Sequence, residues 1–362
     1  MDSPHYLPTV ALITGANSGL GYAIACRLIV EFFNPGIDGY PAVAPDPGTL
    51  IVCLATRSVE KALSAITGIN TFLASRLSEG ARSRLKLAHI TIDLSSPKSV
   101  IAAATELRNR YSRIHYVFCN AAVVPFVRID WAIAARQIAT NFIEAMTVPR
   151  YKVQGVGWLT EVQSYKSHAA EPLPELGAAF AANVFGHYYL LHEIMKTLHA
   201  SVAVSETPSR IVWVGSIESD PLTFDIDDIQ GIKSIRPYES SKTLTDILVL
   251  GSYLPEAQEY FRSYITIPMS SNYTPPAESI APVFLIAHPD PFIGANAPVW
   301  LALSPHVDLI KGRKWGSAYL WGSGEMVLET QVDSDVAAQS AHLWSQMETL
   351  RKLWKTTLES QR

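Results

Sequence analysis

Short apolar runs alternate along the chain with longer stretches in which apolar positions recur at helical spacing. The short runs predict β-strands and the longer stretches predict helices, an alternation typical of parallel strands joined by crossover helices. The pattern therefore predicts an α/β fold, a Rossmann-type doubly wound parallel sheet flanked by helices. The predicted strands are residues 10–14, 50–55, 87–93, 115–120, 210–216 and 282–288. The predicted helices are residues 20–33, 59–77, 97–111, 173–198 and 238–261.

Two connections depart from this pattern. Residues 34–49 are rich in Pro and Gly and predict a surface loop. Residues 123–163 are too many for a simple crossover and predict an insertion with one helix at about 131–145. A C-terminal amphipathic helix is predicted at about 335–358. We expect residues 1–362 to form a single domain that includes the inserted helical segment.

A glycine-rich turn, TGANSGLG, lies between the first predicted strand and the first predicted helix. Glycine permits tight turns with positive φ and lets the main chain approach a pyrophosphate. The N-terminus of the following helix can bind the same group through its free amides. The turn therefore predicts a nucleotide site. The residues expected there are Gly15, Asn17, Ser18, Gly19, Leu20 and Gly21.

Composition narrows the function classes. The chain has 362 residues, 48% of them hydrophobic, which allows a large core. Its net charge of -4, without a basic stripe, argues against a nucleic-acid partner. The cysteines, Cys26, Cys53 and Cys119, lie in apolar runs, so we expect reduced thiols and no metal site. No apolar stretch is long enough to predict a transmembrane segment, and no signal peptide is predicted. We expect a cytoplasmic location, with peripheral attachment to a membrane as the alternative.

Four polar residues follow in a set order. Asn183 stands in AANVFGHYY, Ser216 ends the predicted strand in WVGSIES, and Tyr238 and Lys242 stand in YESSK. One helical turn separates the last two, so both face the same side of their helix. With the turn TGANSGLG, this order resembles the short-chain dehydrogenases/reductases, which carry TGxxxGxG and Tyr-x-x-x-Lys. The resemblance covers most of the chain and implies that these four residues are catalytic.

The same resemblance implies further contacts with a nucleotide cofactor. The family has an N-A-G turn after the fourth strand, and the run CNAAV matches it except at its third position. It often has an acidic residue closing the third strand, where TIDLSS stands here. The residues implied beside the cofactor are Asp93, Leu94, Asn120, Ala121, Ala122, Tyr238 and Lys242.

The resemblance also implies roles in carbonyl reduction. Tyr238 would protonate the carbonyl oxygen, and the ammonium of Lys242 would lower the phenol pKa from about 10 and hold the nicotinamide ribose. Ser216 would hydrogen-bond the substrate carbonyl. Asn183 would hold a water that links Lys242 to solvent. The alternatives are that Tyr238 is a packing tyrosine and that Ser216 caps a strand end.

Cofactor choice rests on the end of the second predicted strand. LATRS places Arg57 where an acidic residue would otherwise bind the 2′-hydroxyl of NAD. An arginine suits a 2′-phosphate, so NADP(H) is the predicted cofactor. The alternative is an exposed arginine at a helix start.

A narrower resemblance rests on NVFGHYYLLHEI, FDIDDIQG, RPYESSK, ANAPVWLAL and KWGSA. These runs look like the 3-ketosteroid reductases of sterol biosynthesis, especially the fungal branch, which also carries a long insertion like residues 123–163. The resemblance implies NADPH-dependent reduction of the C3 ketone of a sterol intermediate. The alternative substrate is another bulky apolar ketone, of the terpenoid or polyketide class.

Two departures leave a second function open. Ala122 replaces the glycine of the N-A-G turn, and Asp290 follows Pro289 where relatives have Pro-Gly and then a substrate lid. An apolar helix at 295–303 begins almost at once, so the lid is expected to be deleted. We expect the insertion, or a second subunit in a homodimer, to cover the cleft. The second function is a non-redox one: a cyclase or isomerase of secondary metabolism, or a non-catalytic partner.

Overall fold

The computed structural model describes residues 8–34, 48–123, 126–142, 145, 150–154, 162–163, 176–198, 209–216, 218–252, 264–270, 290–304, 313–320, 324–331 and 334–360. Its strands are β1 (Thr9–Thr14), β2 (Leu50–Thr56), β3 (Leu85–Thr91), β4 (Tyr116–Cys119), β5 (Phe126–Ile129), β6 (Lys152–Gln154), β7 (Val162–Gln163), β8 (Leu176–Gly177), β9 (Ser209–Val214), β10 (Tyr264–Ser270), β11 (Arg313–Leu320) and β12 (Gly324–Gln331).

The helices alternate with these strands. They are α1 (Gly19–Phe33), α2 (Val59–Leu73), α3 (Glu79–Ser83), α4 (Pro97–Arg110), α5 (Trp131–Thr140), α6 (Ala178–Phe180, a π-helical turn at Ala181–Phe185, then Gly186–Glu193), α7 (Pro237–Gly251), α8 (Pro291–Gly294), α9 (Asn296–Leu303) and α10 (Ser334–Glu359). A single 3₁₀ turn at Pro221–Thr223 precedes α7.

The central sheet has eight strands in the order β12-β11-β10-β9-β4-β1-β2-β3. Neighbouring strands are parallel except β11 and β12, which form an antiparallel hairpin at one edge. The chain runs outward from β1 to β3 on one side and then from β4 onward on the other. In such sheets the ligand site lies at the carboxyl ends of the strands where the winding reverses, here between β1 and β4.

Apolar side chains of the sheet pack on both of its faces. In β1, Val10 and Leu12 belong to one buried cluster, and Ala11 and Ile13 belong to the other. Because successive strand residues point to opposite faces, this division requires helices on both sides. The first cluster includes side chains of α4, α6, α7 and α10, and the second includes those of α1, α2 and α9. The predicted doubly wound α/β fold is confirmed.

The long C-terminal helix α10 is part of the first cluster. It packs along α7, and Trp344, Met347 and Trp354 are buried among that cluster's side chains. A polar contact also joins α10 to α6, since the Tyr188 hydroxyl donates to the Glu348 carboxylate at 2.6 Å. The helix predicted at about 335–358 is thus confirmed.

The structure differs from the predicted elements mainly in its second half. The place beside β9 is taken by β10, with Tyr264 paired to Ser209, whereas the strand predicted at 282–288 lies outside the described residues. The helix predicted at 238–261 ends at Gly251, and the hairpin of β11 and β12 was not predicted. The surface loop predicted at 34–49 falls almost wholly outside the described residues. That the chain forms one domain stays a prediction.

Helices α8 and α9 follow Asp290, where relatives were expected to have a lid. Both pack against α1, and α9 is buried along most of its length. They therefore lie against the core and do not extend over the site. Deletion of the lid stays a prediction, because residues 271–289 and 305–312 lie outside the described part of the chain.

Candidate active site

The glycine-rich turn folds as its sequence requires. Gly15 and Gly19 have φ of +66° and +55°, a region that side chains disfavour. Gly21 is required for a different reason: an added Cβ would lie 2.4 Å from the Gly15 oxygen and 2.5 Å from Asn120 Nδ2. A Cβ at Gly19 would meet nothing within 4 Å. The turn is thus closely packed on its inner side and open at Gly19.

The first turn of α1 differs from those of its neighbours. Ser58 and Ser96 accept hydrogen bonds from main-chain amides at the starts of α2 and α4. Ser18, at the same position before α1, makes no capping hydrogen bond with its side chain. The amides at the start of α1 therefore lack the usual side-chain acceptor, an arrangement suited to an anion.

A buried node joins the glycine-rich turn to the turn after β4. The Thr14 hydroxyl oxygen accepts the main-chain amides of Asn120 and Ala121 at 2.9 and 3.0 Å. It also lies 2.8 Å from His187 Nε2, while His187 Nδ1 lies 3.3 Å from the Asn183 main-chain oxygen. The Thr14 hydroxyl carries a single hydrogen, and it lies within reach of two acceptors: the Phe118 main-chain oxygen at 3.1 Å and, when the ring proton is on Nδ1, His187 Nε2. These contacts hold the end of β1, the turn after β4 and helix α6 in fixed positions at the site.

His187 gives folding a defined pH dependence. Burial lowers its pKa from 6.5 to about 3. Between these values the unfolded chain binds the proton and the folded chain does not, so stability falls as pH falls through this window. We expect this ring to contribute a slope of about 1.4 kcal/mol per pH unit. Urea unfolding across mildly acidic pH should show a smaller slope for His187→Gln than for the wild type. The exposed His342→Gln is the control, and a slope unchanged by His187→Gln would contradict the assignment.

Asn183 lies in the π-helical turn of α6 and is buried. Its Oδ1 accepts the Val123 amide at 2.6 Å. Its Nδ2 donates to the Val123 oxygen at 3.2 Å and to Ser241 Oγ at 3.1 Å. Both amide hydrogens are thus bonded to protein, so a water at Asn183 would have to use the main-chain oxygen that also faces His187. The side chain thus links α7 to the segment after β4 that leads into the insertion.

Tyr238 and Ser216 are in contact. Ser216 lies just beyond β9, and its side chain is hydrogen-bonded to the Tyr238 phenol. Burial raises the pKa of Tyr238 to about 12, with the Ser216 bond opposing the rise. The predicted lowering of this pKa is therefore wrong, because desolvation of the phenolate sets the direction of the shift. The phenol stays protonated at neutral pH.

Lys242 is buried below the phenol. Its Nζ donates to the Val214 oxygen at 2.8 Å and lies 5.5 Å from the Tyr238 ring centroid. Burial lowers the pKa of Lys242 to about 8, while the Asp246 carboxylate opposes this. The ammonium form prevails at neutral pH, with a titration within reach of mildly alkaline conditions.

A second lysine at the site was missed by the sequence analysis. Lys314 of β11 donates to the Ser216 main-chain oxygen at 2.9 Å and to Asp246 Oδ2 at 2.7 Å. A signal was present, because Asp246 stands one helical turn after Lys242 in a part of α7 whose other residues are uncharged. Its partner Lys314 stands in KWGSA, a run already used for the family resemblance, but nothing in that run indicates contact with Asp246, and β11 was not predicted.

The far end of the site is basic. Arg57 and Lys61, at and just inside the start of α2, are exposed and line the same cavity as Tyr238. Asp93 also lines it, with its Oδ1 accepting from Ser95 at 2.7 Å. Lys61, which stands four residues after Arg57, was not predicted to lie there.

One cavity of about 870 Å³ collects most of the predicted residues. The predicted residues that line it are Gly15, Asn17, Ser18, Gly19, Leu20, Arg57, Asp93, Leu94, Asn120, Ala121, Ala122, Tyr238 and Lys242. Gly21, Asn183 and Ser216 do not line it and support those that do. Residues not predicted, among them Val123, Ala178 and Val214, complete the wall.

The insertion reaches the same region. Lys152 of β6 forms an ion pair with Glu218, whose main-chain amide donates to Ser216 Oγ at 3.0 Å. In α5 and just after it, Trp131 and Phe142 are 75% and 58% exposed. The insertion therefore contacts the loop that carries Ser216, and its closure over the cleft stays a prediction.

Comparison with known proteins gives a consistent set of relatives. The 3-keto-steroid reductase of Aspergillus fumigatus is 31% identical over 359 residues, covering 86% of this chain and 78% of the relative. That of Candida albicans is 30% identical and covers 98% and 96%. That of Schizosaccharomyces pombe is 28% identical and covers 97% and 98%. No family model matches the chain.

Solved structures resemble the chain more distantly. The Pseudomonas aeruginosa RhlG/NADP complex gives a TM-score of 0.48 with 15% identity, over 83% of this chain and 91% of that one. An alcohol dehydrogenase of Thermococcus sibiricus complexed with 5-hydroxy-NADP gives 0.45 with 16% identity, over 83% and 92%.

No described helix is both long enough and apolar enough to span a bilayer. The identity to the Aspergillus and Candida reductases extends over most of both chains. It agrees with the order of Asn183, Ser216, Tyr238 and Lys242 and with the parallel sheet that positions them. The chain belongs to the fungal 3-keto-steroid reductase family of short-chain dehydrogenases/reductases, a family of oxidoreductases.

Proposed function

We propose that the protein is an NADPH-dependent reductase of a 3-keto steroid or of a similarly bulky apolar ketone. The observation that carries the proposal is the arrangement along one cavity. Tyr238 and the Lys242 ammonium stand at one end, and Ser216 is hydrogen-bonded to the Tyr238 phenol from outside the cavity wall. The cations Arg57 and Lys61 stand at the other. The first end suits a carbonyl and the second suits a phosphate.

The residues present fit NADP(H). The main chain at Gly19 is open, and the amides at the start of α1 lack a side-chain cap, which suits a pyrophosphate. Arg57 and Lys61 would bind a 2′-phosphate, for which an arginine fork is well shaped. Lys242 would hold the nicotinamide ribose. Ala122 lines the cavity and is exposed, so its methyl group does not fill a packed position.

The side chains would divide the chemistry of carbonyl reduction. Ser216 would hold the substrate oxygen within reach of the Tyr238 phenol. Tyr238, with a pKa of about 12, is the acid that would deliver a proton to that oxygen. NADPH, when bound, would supply the hydride to the carbonyl carbon, so that the product is an alcohol. The buried ammonium of Lys242 would stabilise the phenolate left on Tyr238 until it is reprotonated.

A second candidate is a non-redox role for the same site. The alanine at Ala122, where the superfamily has glycine, favours it, because this position borders the cofactor cavity. In that case Tyr238 would act as an acid for cyclisation or isomerisation, or the protein would act as a non-catalytic partner.

One experiment separates the two. NADPH binding is titrated by fluorescence, and NADPH oxidation is followed with a 3-keto steroid, an aromatic polyketide ketone and a small ketone. Oxidation with the steroid or polyketide, and little with the small ketone, is the expected result. Binding without oxidation of NADPH would favour the non-redox role. Absence of NADPH binding would refute the proposed reductase.

A further inference from the structure

Behind the proposed catalytic residues lies a buried ion pair that the chemistry above does not use. Lys314 Nζ and Asp246 Oδ2 are 2.7 Å apart, and their side chains are only 10% and 7% exposed. The same Nζ donates to the Ser216 main-chain oxygen at 2.9 Å. Lys314 thus touches both α7 and the end of β9, the two elements that carry Tyr238 and Ser216.

Asp246 occupies a particular position on α7. Tyr238, Lys242 and Asp246 follow one another at four-residue spacing and so share one side of the helix. Asp246 Oδ1 is buried without a hydrogen-bond partner in the described part of the chain. The Asp246 carboxylate pairs directly with Lys314 and acts on the buried Lys242 ammonium through its charge. An unpaired buried cation is strongly disfavoured.

We propose that Lys314 and Asp246 are positioning residues, which fasten the Ser216 main chain to α7 and balance the charge of Lys242. The proposal rests on the proposed reductase function for its catalytic consequence. Its structural part stands on the contacts alone: without Lys314, the Ser216 carbonyl loses its charged donor and Asp246 loses its partner. A small displacement of Ser216 from Tyr238 would then lower turnover, because proton transfer depends on hydrogen-bond distance.

The charged groups around Lys242 allow a test that distinguishes charge balance from a purely structural role of Lys314 and Asp246. Lys242 is faced by Asp246 from its own helix, Lys314 from β11, Glu218 from the loop after β9 and His187 from α6. After burial itself, Asp246 raises the pKa of Lys242 and Lys314 lowers it. Neutralising Asp246 should therefore lower this pKa, and neutralising Lys314 should raise it.

The experiment uses the full chain with Asp246→Asn, Lys314→Met and the conservative Lys314→Arg. Competitive amine labelling with mass spectrometry measures the pH at which Lys242 becomes reactive, and kcat is measured across pH. We expect the labelling midpoint and the alkaline limb of kcat to fall for Asp246→Asn and to rise for Lys314→Met. We expect kcat at neutral pH to fall roughly ten- to a hundredfold in Lys314→Met, with NADPH Kd nearly unchanged, and Lys314→Arg to recover most of the loss.

Two results would overturn the proposal. One is a Lys242 midpoint that stays in place, or moves the same way, in both neutralised variants. The other is a folded Lys314→Met with the kcat of the wild type. If a single variant does not fold, the double variant Lys314→Met with Asp246→Leu replaces the pair by apolar groups, an exchange that proteins often tolerate. It should fold with kcat still low, and a wild-type kcat there would also refute the positioning role.

Failure of the reductase function would be distinguishable from failure of this inference. A wild-type protein that reduces none of the ketones would refute the function. The labelling midpoint of Lys242 needs neither substrate nor cofactor, so the opposite shifts of the two variants would still be measured.

Discussion

Tyr238→Phe should lower turnover of the ketone by roughly 10²–10⁴-fold while leaving NADPH affinity nearly unchanged. The substitution removes the proton donor and keeps the ring. The phenol is held by Ser216, and burial raises its pKa to about 12, so it is the protonated form that the variant lacks. Turnover is measured as NADPH oxidation and affinity by fluorescence titration.

The matched control for this variant is Tyr111→Phe. The Tyr111 hydroxyl bonds to Cys53 and does not line the cavity. The Tyr111→Phe variant should therefore keep the turnover of the wild type. If Tyr238→Phe also turned over at the wild-type rate, Tyr238 would be removed from the mechanism. A loss of NADPH affinity as large as the loss of turnover would instead indicate damage to the site.

Arg57→Ala should weaken NADPH binding by roughly ten- to a hundredfold, because charge-assisted bonds to a phosphate contribute about 1.5–3 kcal/mol. NADH lacks the 2′-phosphate, so its affinity should change little, and the preference for NADPH should shrink accordingly. Fluorescence titration of both nucleotides measures the two effects in one protein.

Lys61→Ala is the companion variant for Arg57→Ala. Both side chains are exposed at the same end of the cavity, so the double variant should lose more of the preference for NADPH than either single one. Arg57→Lys keeps the charge without the planar fork and should fall between the wild type and Arg57→Ala. Equal affinity of the wild type for NADPH and NADH would refute the assignment.

Local sequence was sufficient to predict the first half of the fold and most of the cavity wall. The turn at Gly15 to Gly21 can be recognised from the sequence, because a predicted strand, three glycines and a predicted helix follow one another within a short stretch. The spacing of Tyr238 and Lys242 likewise fixes their common face without knowledge of the rest. Both features depend only on residues that are close together in the sequence, so a sequence pattern is enough to predict them.

Features that depend on distant partners could not be predicted. Lys314 reaches Ser216 across 98 residues of chain, and His187 meets Thr14 across 173. Neither Lys314 nor His187 stands in a motif that indicates which residue its side chain contacts. The pKa of Tyr238 was expected to fall because the sequence shows the nearby Lys242. The sequence does not show how deeply the phenol is buried, and burial decides the direction of the pKa shift.

The helix α10 has a consequence for how a shortened copy of this chain would behave. All four of the proposed catalytic residues lie before Ser334, so a premature stop in that region would leave every motif of the family intact. Yet Trp344, Met347 and Trp354 would be missing from the cluster that packs behind α7, and with them the Glu348 partner of Tyr188. Such a copy would look complete to a motif search while lacking the support of the helix that carries Tyr238 and Lys242. An open reading frame of this family should therefore be judged intact by its last helix as well as by its catalytic residues.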